Sequence, residues 1–129
     1  QLQRIDDFTN ERDDILEKYR RHLQAEDLRL NPRLEGTRPV NWMTCVVLNR
    51  MDRAGRDLVI AALRAAGVDS RPFFYPVTAL PMYSGAANPV SAELSATGLN
   101  LPTYPGLRQQ EIKIVADALS KAIAAGADR

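Results

Sequence analysis

The sequence predicts an α+β domain in which a small antiparallel or mixed sheet packs against helices. Amphipathic helical stretches stand at both ends of the chain, and short apolar runs broken by prolines lie between them. The resulting order is α-β-α-β-loop-α-β-α, which offers too few unbroken strands for a doubly wound nucleotide-binding fold. With 129 residues, 45% of them apolar, the chain is long enough for one ordinary domain.

The first segment predicts a long helix with one apolar face and a highly charged remainder. Its apolar residues recur at spacings near three and four: Leu2, Ile5, Phe8, Ile15, Tyr19 and Leu23. The chain begins with Gln1 rather than methionine, and its first residues already have a helical pattern. We therefore expect a piece of a longer protein, with residues 1–27 as an inter-domain linker helix and residues 28–129 as the α+β domain. Residues 28–41 are expected to form a connection, because they contain two prolines and a glycine.

The middle of the chain predicts a buried strand, a helix and a short second strand. Residues 42–48 are apolar on both alternating faces, which is typical of a strand covered on both sides. Asp52 is placed to cap a helix that continues to about Ala66. The residues expected to face inward on this helix are Leu58, Val59, Ala62, Leu63 and Ala66. In the next stretch, "VDSRPFFY", Pro72 cannot donate a ladder hydrogen bond, so this strand should lie at an edge or end early.

The last third predicts a short helix, a third extended piece and a closing helix. Asn88 followed by Pro89 is typical of a helix start, and Gly98 marks the expected end. The extended piece is "LNLPTYPG". The closing helix is expected from Arg108 to Ala125, with Gly126 as its stop.

Composition excludes several classes of function. Seventeen basic and 16 acidic residues leave a formal net charge of +1, which gives no electrostatic case for binding nucleic acid or an anionic membrane. No apolar run approaches the ~18 residues of a transmembrane helix. One cysteine excludes an internal disulfide and a cysteine-built zinc site. We expect a cytoplasmic protein.

The sequence does not contain the parts of a complete enzyme active site. Neither glycine-rich phosphate-binding motif is present. The single histidine, His22, lies on the charged first helix with nothing nearby to orient it, and Lys18, Lys113 and Lys121 fall on polar helix faces. No catalytic, cofactor-binding or metal-binding residue is therefore expected in this chain.

One stretch stands out as a candidate contact surface: "SRPFFYPVTALPMYSG", residues 70–85, here called the aromatic segment. Prolines and aromatic rings of this density fit neither a helix nor a central strand. A guanidinium beside flat rings suits recognition of a phosphate, a carboxylate or a planar base, and the candidates are Arg71, Phe73, Phe74, Tyr75 and Tyr83. The residues alone leave an alternative open, in which Phe73 or Phe74 fills the core and Arg71 pairs with a carboxylate.

Two separated motifs, in order, resemble a known family. "GVDSRPFFYPVTALPMY", followed after a helix by "GLNLPTYPGL" and an amphipathic helix, resembles the DegT/StrS family of nucleotide-sugar aminotransferases. The "RPFFYP" spelling is most similar to the perosamine synthetase-like branch, and the first 23 residues resemble the family's helix between its large and small domains. The resemblance implies that this chain is the C-terminal small domain of a fold-type-I enzyme dependent on pyridoxal 5'-phosphate (PLP), and that the large domain holding the cofactor lies outside it.

The resemblance also implies a reaction and a set of contact residues. The parent enzyme would transfer an amino group from glutamate to a nucleotide-linked keto-deoxysugar, and its site would form at a homodimer interface. This chain would close one side of the cleft, without catalytic groups and without bound PLP. The implied substrate contacts are Arg71 for an anionic group, Phe74 as an apolar wall, Tyr75, Thr78 and the more distant Tyr83. Many relatives have histidine where this sequence has Thr78.

A stand-alone, non-enzymatic α+β module for ligand binding or interaction is the competing hypothesis. It predicts a first helix that packs on its own domain. A linker helix should instead leave Leu2, Ile5 or Phe8 exposed or paired with a second chain.

Overall fold

The computed structural model describes residues 2–23, 26–83 and 88–127. It forms an α+β sandwich with one four-stranded sheet. The helices are α1 (Ile5–His22, preceded by a 3-10 turn over Leu2–Arg4), α2 (Arg53–Ala65), α3 (Pro89–Thr97) and α4 (Gln109–Ala127), and the strands are β1 (Leu28–Leu30), β2 (Thr44–Leu48), β3 (Arg71–Pro72) and β4 (Gly98–Leu101). The expected fold class is confirmed. Residues 84 and 85 of the aromatic segment lie outside the described residues, as do residues 24 and 25 of the expected linker.

The sheet is antiparallel throughout, in the order β1-β2-β4-β3. Strand β3 is an edge strand of two residues, as Pro72 predicted. The other edge, β1, lies in the stretch that was expected to be a plain connection, so that expectation was wrong. Its three residues pair with β2, and the side chain of Asn31 continues the contact by accepting from the backbone N–H of Cys45 at 2.7 Å. A strand this short is defined by its partner rather than by its own sequence.

One apolar core lies between the sheet and helices α1, α2 and α4. Buried residues of β2 and β4, including Val46 and Leu99, face Tyr19 of α1, Leu63 of α2 and Leu119 of α4. Helix α3 contributes none of this cluster's described residues. The core therefore leaves the opposite face of the sheet to α3 and the aromatic segment.

Two predicted helix caps are confirmed, whereas the end of α4 and part of the buried face of α2 differ from the prediction. Asp52 accepts from the N–H of Gly55 at 2.9 Å and Asn88 accepts from the N–H of Ser91 at 3.0 Å, so both predicted caps are confirmed. Helix α4 runs past the expected stop at Gly126 to Ala127. On α2 the expected inward face is confirmed at Val59 and Leu63 and wrong at Leu58, Ala62 and Ala66, which are exposed. The other buried residues of this helix are Arg56 and Ile60.

Helix α1 divides into an exposed and a buried half. Leu2 and Ile5 are exposed, whereas Ile15, Leu16, Tyr19 and Leu23 are buried. Burial raises the pKa of the Tyr19 hydroxyl, with Tyr104 adding to the effect, and this neutral hydroxyl donates to the carbonyl of Pro102 at 3.0 Å. Phe8, between these two groups, is half-buried. The division into a linker helix and a domain at residue 27 stays a prediction.

Among the described residues, no helix is long and apolar enough to cross a membrane.

Candidate functional site

The aromatic segment begins with an anchored ring and continues with exposed ones. The N–H of Phe73 donates to the carbonyl of Gly98 at 3.1 Å, and the Phe73 ring lies against Gly98 so closely that an added Cβ would be 2.3 Å from ring atom Cδ2. Phe74 is 75% exposed and Tyr75 is 71% exposed. Neither ring belongs to the core cluster: Phe73 is half-buried against Gly98, and Phe74 projects from the surface.

These rings border an open groove of about 370 Å³, here called the aromatic groove. Its walls are residues 73–77 and, from α3, Ser91, Leu94 and Ser95, and its floor is Met43, Cys45 and Asn100. Cys45 and Asn100 are register partners on β2 and β4, on the face opposite the core. The volume falls within the range of small-molecule sites, ~300–1,000 Å³.

The aromatic groove is electrically neutral. None of its lining residues carries a formal charge. Burial raises the pKa of the Cys45 thiol, so this group is a protonated, poorly nucleophilic thiol near neutral pH. Such a lining suits contact with a flat or apolar group rather than covalent chemistry.

Arg71 borders a different cavity, of about 540 Å³, at the β3 edge of the sheet. This edge cavity is lined by residues 66–69 and 102–104, together with Arg71, Leu107, Glu111, Ile114 and Val115. The Arg71 guanidinium lies 3.5 Å from the carboxylate of Asp69, and both side chains are about 80% exposed. Arg71 therefore pairs with a carboxylate, as the alternative expected, yet remains accessible to solvent.

Thr78 and Tyr83 lie further along the segment, and both are exposed. Thr78 belongs to a 3-10 turn over Val77–Ala79, and the N–H of Tyr83 donates to the carbonyl of Leu80 at 2.9 Å. Neither residue lines the aromatic groove or the edge cavity. The structure thus gathers Phe74 and Tyr75 in one groove and leaves Arg71, Thr78 and Tyr83 outside it.

The described lysines do not fit a Schiff-base cofactor such as PLP. Lys18 and Lys113 form ion pairs within their own helices, with Asp14 and Asp117. Lys121 is exposed on α4 and borders an open cavity between α2 and α4 whose lining contains no Arg, Ser or Thr to bind a phosphate. None of the three lysines borders the aromatic groove or the edge cavity. Within the described part of the chain, no three side chains of His, Cys, Asp or Glu are grouped so that they could hold a metal ion.

Sequence reasoning missed Arg56, which is buried in α2 with 2% of its surface exposed. Its guanidinium donates to the carbonyls of Ser95 and Gly98, at the junction of α3 and β4 beside Phe73. The available signal was spacing, because Arg56 is in phase with Val59, Ile60 and Leu63 on the buried helix face.

Comparison with known proteins identifies the family. A sequence profile of the DegT/DnrJ/EryC1/StrS aminotransferase family matches residues 1–120. The chain belongs to this family. GDP-perosamine synthase of Vibrio cholerae is 33% identical over 123 residues, covering 92% of this chain and 34% of that protein. GDP-perosamine synthase of Caulobacter vibrioides is 34% identical over 128 residues, covering 95% of this chain and 34% of that protein.

Solved structures of family members share the fold. DesI, solved with its TDP-sugar product, superposes with a TM-score of 0.84 at 24% identity, covering 98% of this chain and 34% of that chain. A Streptococcus pneumoniae protein named as a sugar aminotransferase, in its PLP-form, gives a TM-score of 0.88 at 18% identity over 97% of this chain and 33% of that chain. At these identities the likeness shows the fold alone. The chain spans about a third of the length of its curated relatives (34%), in agreement with a C-terminal domain of the family.

Proposed function

We propose that this chain is the small domain of a PLP-dependent aminotransferase that moves an amino group from glutamate to a nucleotide-linked keto-deoxysugar. Family membership supports the reaction class. The relatives named GDP-perosamine synthase favour a GDP-linked sugar as the acceptor. PLP and its lysine would lie in the part of the parent outside this chain, because the described lysines do not fit the cofactor.

The role proposed for this chain is to form one wall of the substrate cleft in a homodimeric parent. The observation that carries this role is the exposure of Phe74 and Tyr75 beside a neutral groove. Large rings left in solvent next to a concave surface are typical of a contact surface. Phe74 and Tyr75 would touch the substrate, Arg71 would receive an anionic group, and Thr78 and Tyr83 would lie further out. The chain alone would be inactive.

No described feature favours the stand-alone module over this proposal. The half of α1 that packs on the domain fits a module, but it fits a small domain equally well. The profile match over residues 1–120 includes α1 and the whole sheet, which favours one family domain.

The proposal is tested in the full-length parent with Phe74→Ala and Tyr75→Ala. Each should raise KM for the nucleotide-linked sugar by roughly 5-fold, since one ring contact stabilises a complex by ~1 kcal/mol. The melting temperature should change little, because both rings are exposed in the domain. Leu34→Ala is the matched control, as Leu34 is also exposed (66%) but borders neither the groove nor the edge cavity. An unchanged KM in both ring variants would refute the proposal that these rings contact the substrate.

A further inference from the structure

Arg56 is a buried cation that binds backbone carbonyls. Nη1 donates to the carbonyl oxygen of Ser95 at 3.2 Å and to that of Gly98 at 2.9 Å, while Nε donates to the carboxylate of Asp57 at 2.7 Å. Burying a guanidinium is unfavourable unless its donors are satisfied. The carbonyls at the end of α3 lack helical partners and carry partial negative charge, so they suit this cation.

The carbonyl of Gly98 connects Arg56 to the aromatic segment. This one oxygen accepts from Arg56 at 2.9 Å and from the N–H of Phe73 at 3.1 Å. The Phe73 ring also lies directly on Gly98, where the absence of a Cβ leaves room for it. A displacement of Gly98 would therefore move both the backbone and the ring of Phe73.

Helix α2 contacts the aromatic segment a second time through Arg53. The Arg53 guanidinium lies over the Tyr75 ring, 6.0 Å from its centroid, within reach of a cation–π contact. Arg53 and Arg56 are three residues apart and share one side of the helix. Helix α2 thus approaches the segment at two points, through the carbonyl of Gly98 beside Phe73 and through Arg53 at Tyr75.

We propose that Arg56 is a positioning residue: through the carbonyl of Gly98 it fixes Phe73, and so sets the direction in which Phe74 and Tyr75 present their rings. Arg56 is buried and does not line the aromatic groove, so it acts through these residues and not by touching a ligand. The assignment of the two rings to substrate contact rests on the proposed function. The positioning of the segment by Arg56 is independent of the proposed function.

The experiment compares three variants of the full-length parent: Arg56→Lys, Asp57→Ala and Arg64→Lys. Lysine keeps the charge but loses the planar fork, and Asp57→Ala removes the exposed acceptor that orients the guanidinium without changing the buried group. Arg64→Lys is the matched control on the same helix, because Arg64 is exposed. Steady-state kinetics with the nucleotide-linked sugar are combined with hydrogen–deuterium exchange of peptides from residues 73–83 and from α4.

Arg56→Lys should raise KM about 3- to 10-fold and change kcat less than about 2-fold, which is the size of coupling expected between groups in contact. Exchange should accelerate in residues 73–83 and stay unchanged in α4. Asp57→Ala should raise KM and accelerate exchange in residues 73–83 to a smaller extent. Arg64→Lys should change neither KM nor exchange in these residues. In a background that carries both Phe74→Ala and Tyr75→Ala, Arg56→Lys should add little to KM, since both rings through which it acts are gone.

Three results separate the alternatives. Unchanged exchange in residues 73–83, or an equal rise in α4, would overturn positioning by Arg56 and leave a purely structural residue. Fully additive KM effects of Arg56→Lys and the Phe74→Ala/Tyr75→Ala double substitution would overturn its action through the rings. A third outcome is faster exchange in residues 73–83 of Arg56→Lys while Phe74→Ala and Tyr75→Ala leave KM unchanged. This outcome would support positioning by Arg56 and refute the substrate contact in the proposed function.

Discussion

At Gly98 the absence of a side chain matters, because it leaves room for a neighbouring ring, whereas the backbone conformation does not require glycine. Its φ of −92° is open to any residue, yet a Cβ there would meet the Phe73 ring at 2.3 Å and the carbonyl of Leu94 at 2.6 Å. Gly98→Ala should therefore lower the free energy of unfolding by about 1–3 kcal/mol, as overpacking does. Chemical denaturation measures this, with Gly55→Ala in α2 as the control, expected within about 1 kcal/mol of the unmodified chain. Equal stability of the two variants would contradict a tight contact at Gly98.

Arg71, unlike Gly98, is exposed and makes only a weak ion pair. Its pair with Asp69 is 3.5 Å long with both side chains about 80% exposed, and such pairs contribute little to stability. Arg71→Ala should shift the free energy of unfolding by less than about 0.5 kcal/mol. In the full-length parent it should weaken substrate binding by roughly 10-fold, if it receives an anionic group as proposed. A large loss of domain stability in a melting experiment would instead make Arg71 a structural residue.

The start of helix α4 depends on a charged cap. The Glu111 carboxylate accepts from the Arg108 guanidinium at 2.8 Å and from the Arg108 backbone N–H at 2.9 Å. These hydrogen bonds lower the pKa of Glu111 from 4.5 to about 2. Because the folded-state pKa lies below the unfolded value, this carboxylate stabilises the folded chain above about pH 4.5, and the contribution is lost as the pH falls toward about 2.

Glu111→Gln should therefore be less stable than the unmodified chain near neutral pH, and the difference should shrink in acid. Melting temperatures between about pH 6 and about pH 2.5 measure it. Glu35→Gln, an equivalent change at an exposed residue between β1 and β2, is the control and should show no such convergence. A difference that stays constant across this range would contradict the cap.

Helix α2 shows where pattern reading failed at the scale of an element. Its boundaries and the Asp52 cap follow from local chemistry, so the sequence predicted them. The expected buried face was right at Val59 and Leu63 but wrong at Leu58, which is 49% exposed, because apolar residues were assumed to face inward. The place taken by Arg56 on that face depends on carbonyls of α3 and β4, about 40 residues later in the chain. The spacing of Arg56 places it on that face, but no local pattern identifies the carbonyls that it binds.

The whole domain includes the second half of α1 in its core. Ile15, Tyr19 and Leu23 belong to the same buried cluster as the sheet and α4, whereas residues 2–7 are exposed. Deleting residues 1–7 should leave the fold and its cooperative unfolding intact. Deleting residues 1–23 should prevent stable folding, since loss of one buried aromatic residue alone costs ~3–5 kcal/mol. Circular dichroism of the two truncated chains compares them, and a stable fold in the longer deletion would support the expected domain boundary at residue 27.

The sequence by itself determined the α+β class, the helix caps, the edge position of β3 and the family resemblance. These features depend on local periodicity, on the backbone chemistry of proline and on short motifs. Only the tertiary structure decided that β1 pairs as a strand, that Phe73 packs while Phe74 and Tyr75 project, and that Arg71 borders a separate cavity. Each of these depends on residues far apart in the chain, as when Gly98 makes room for the Phe73 ring and Arg56 binds its carbonyl.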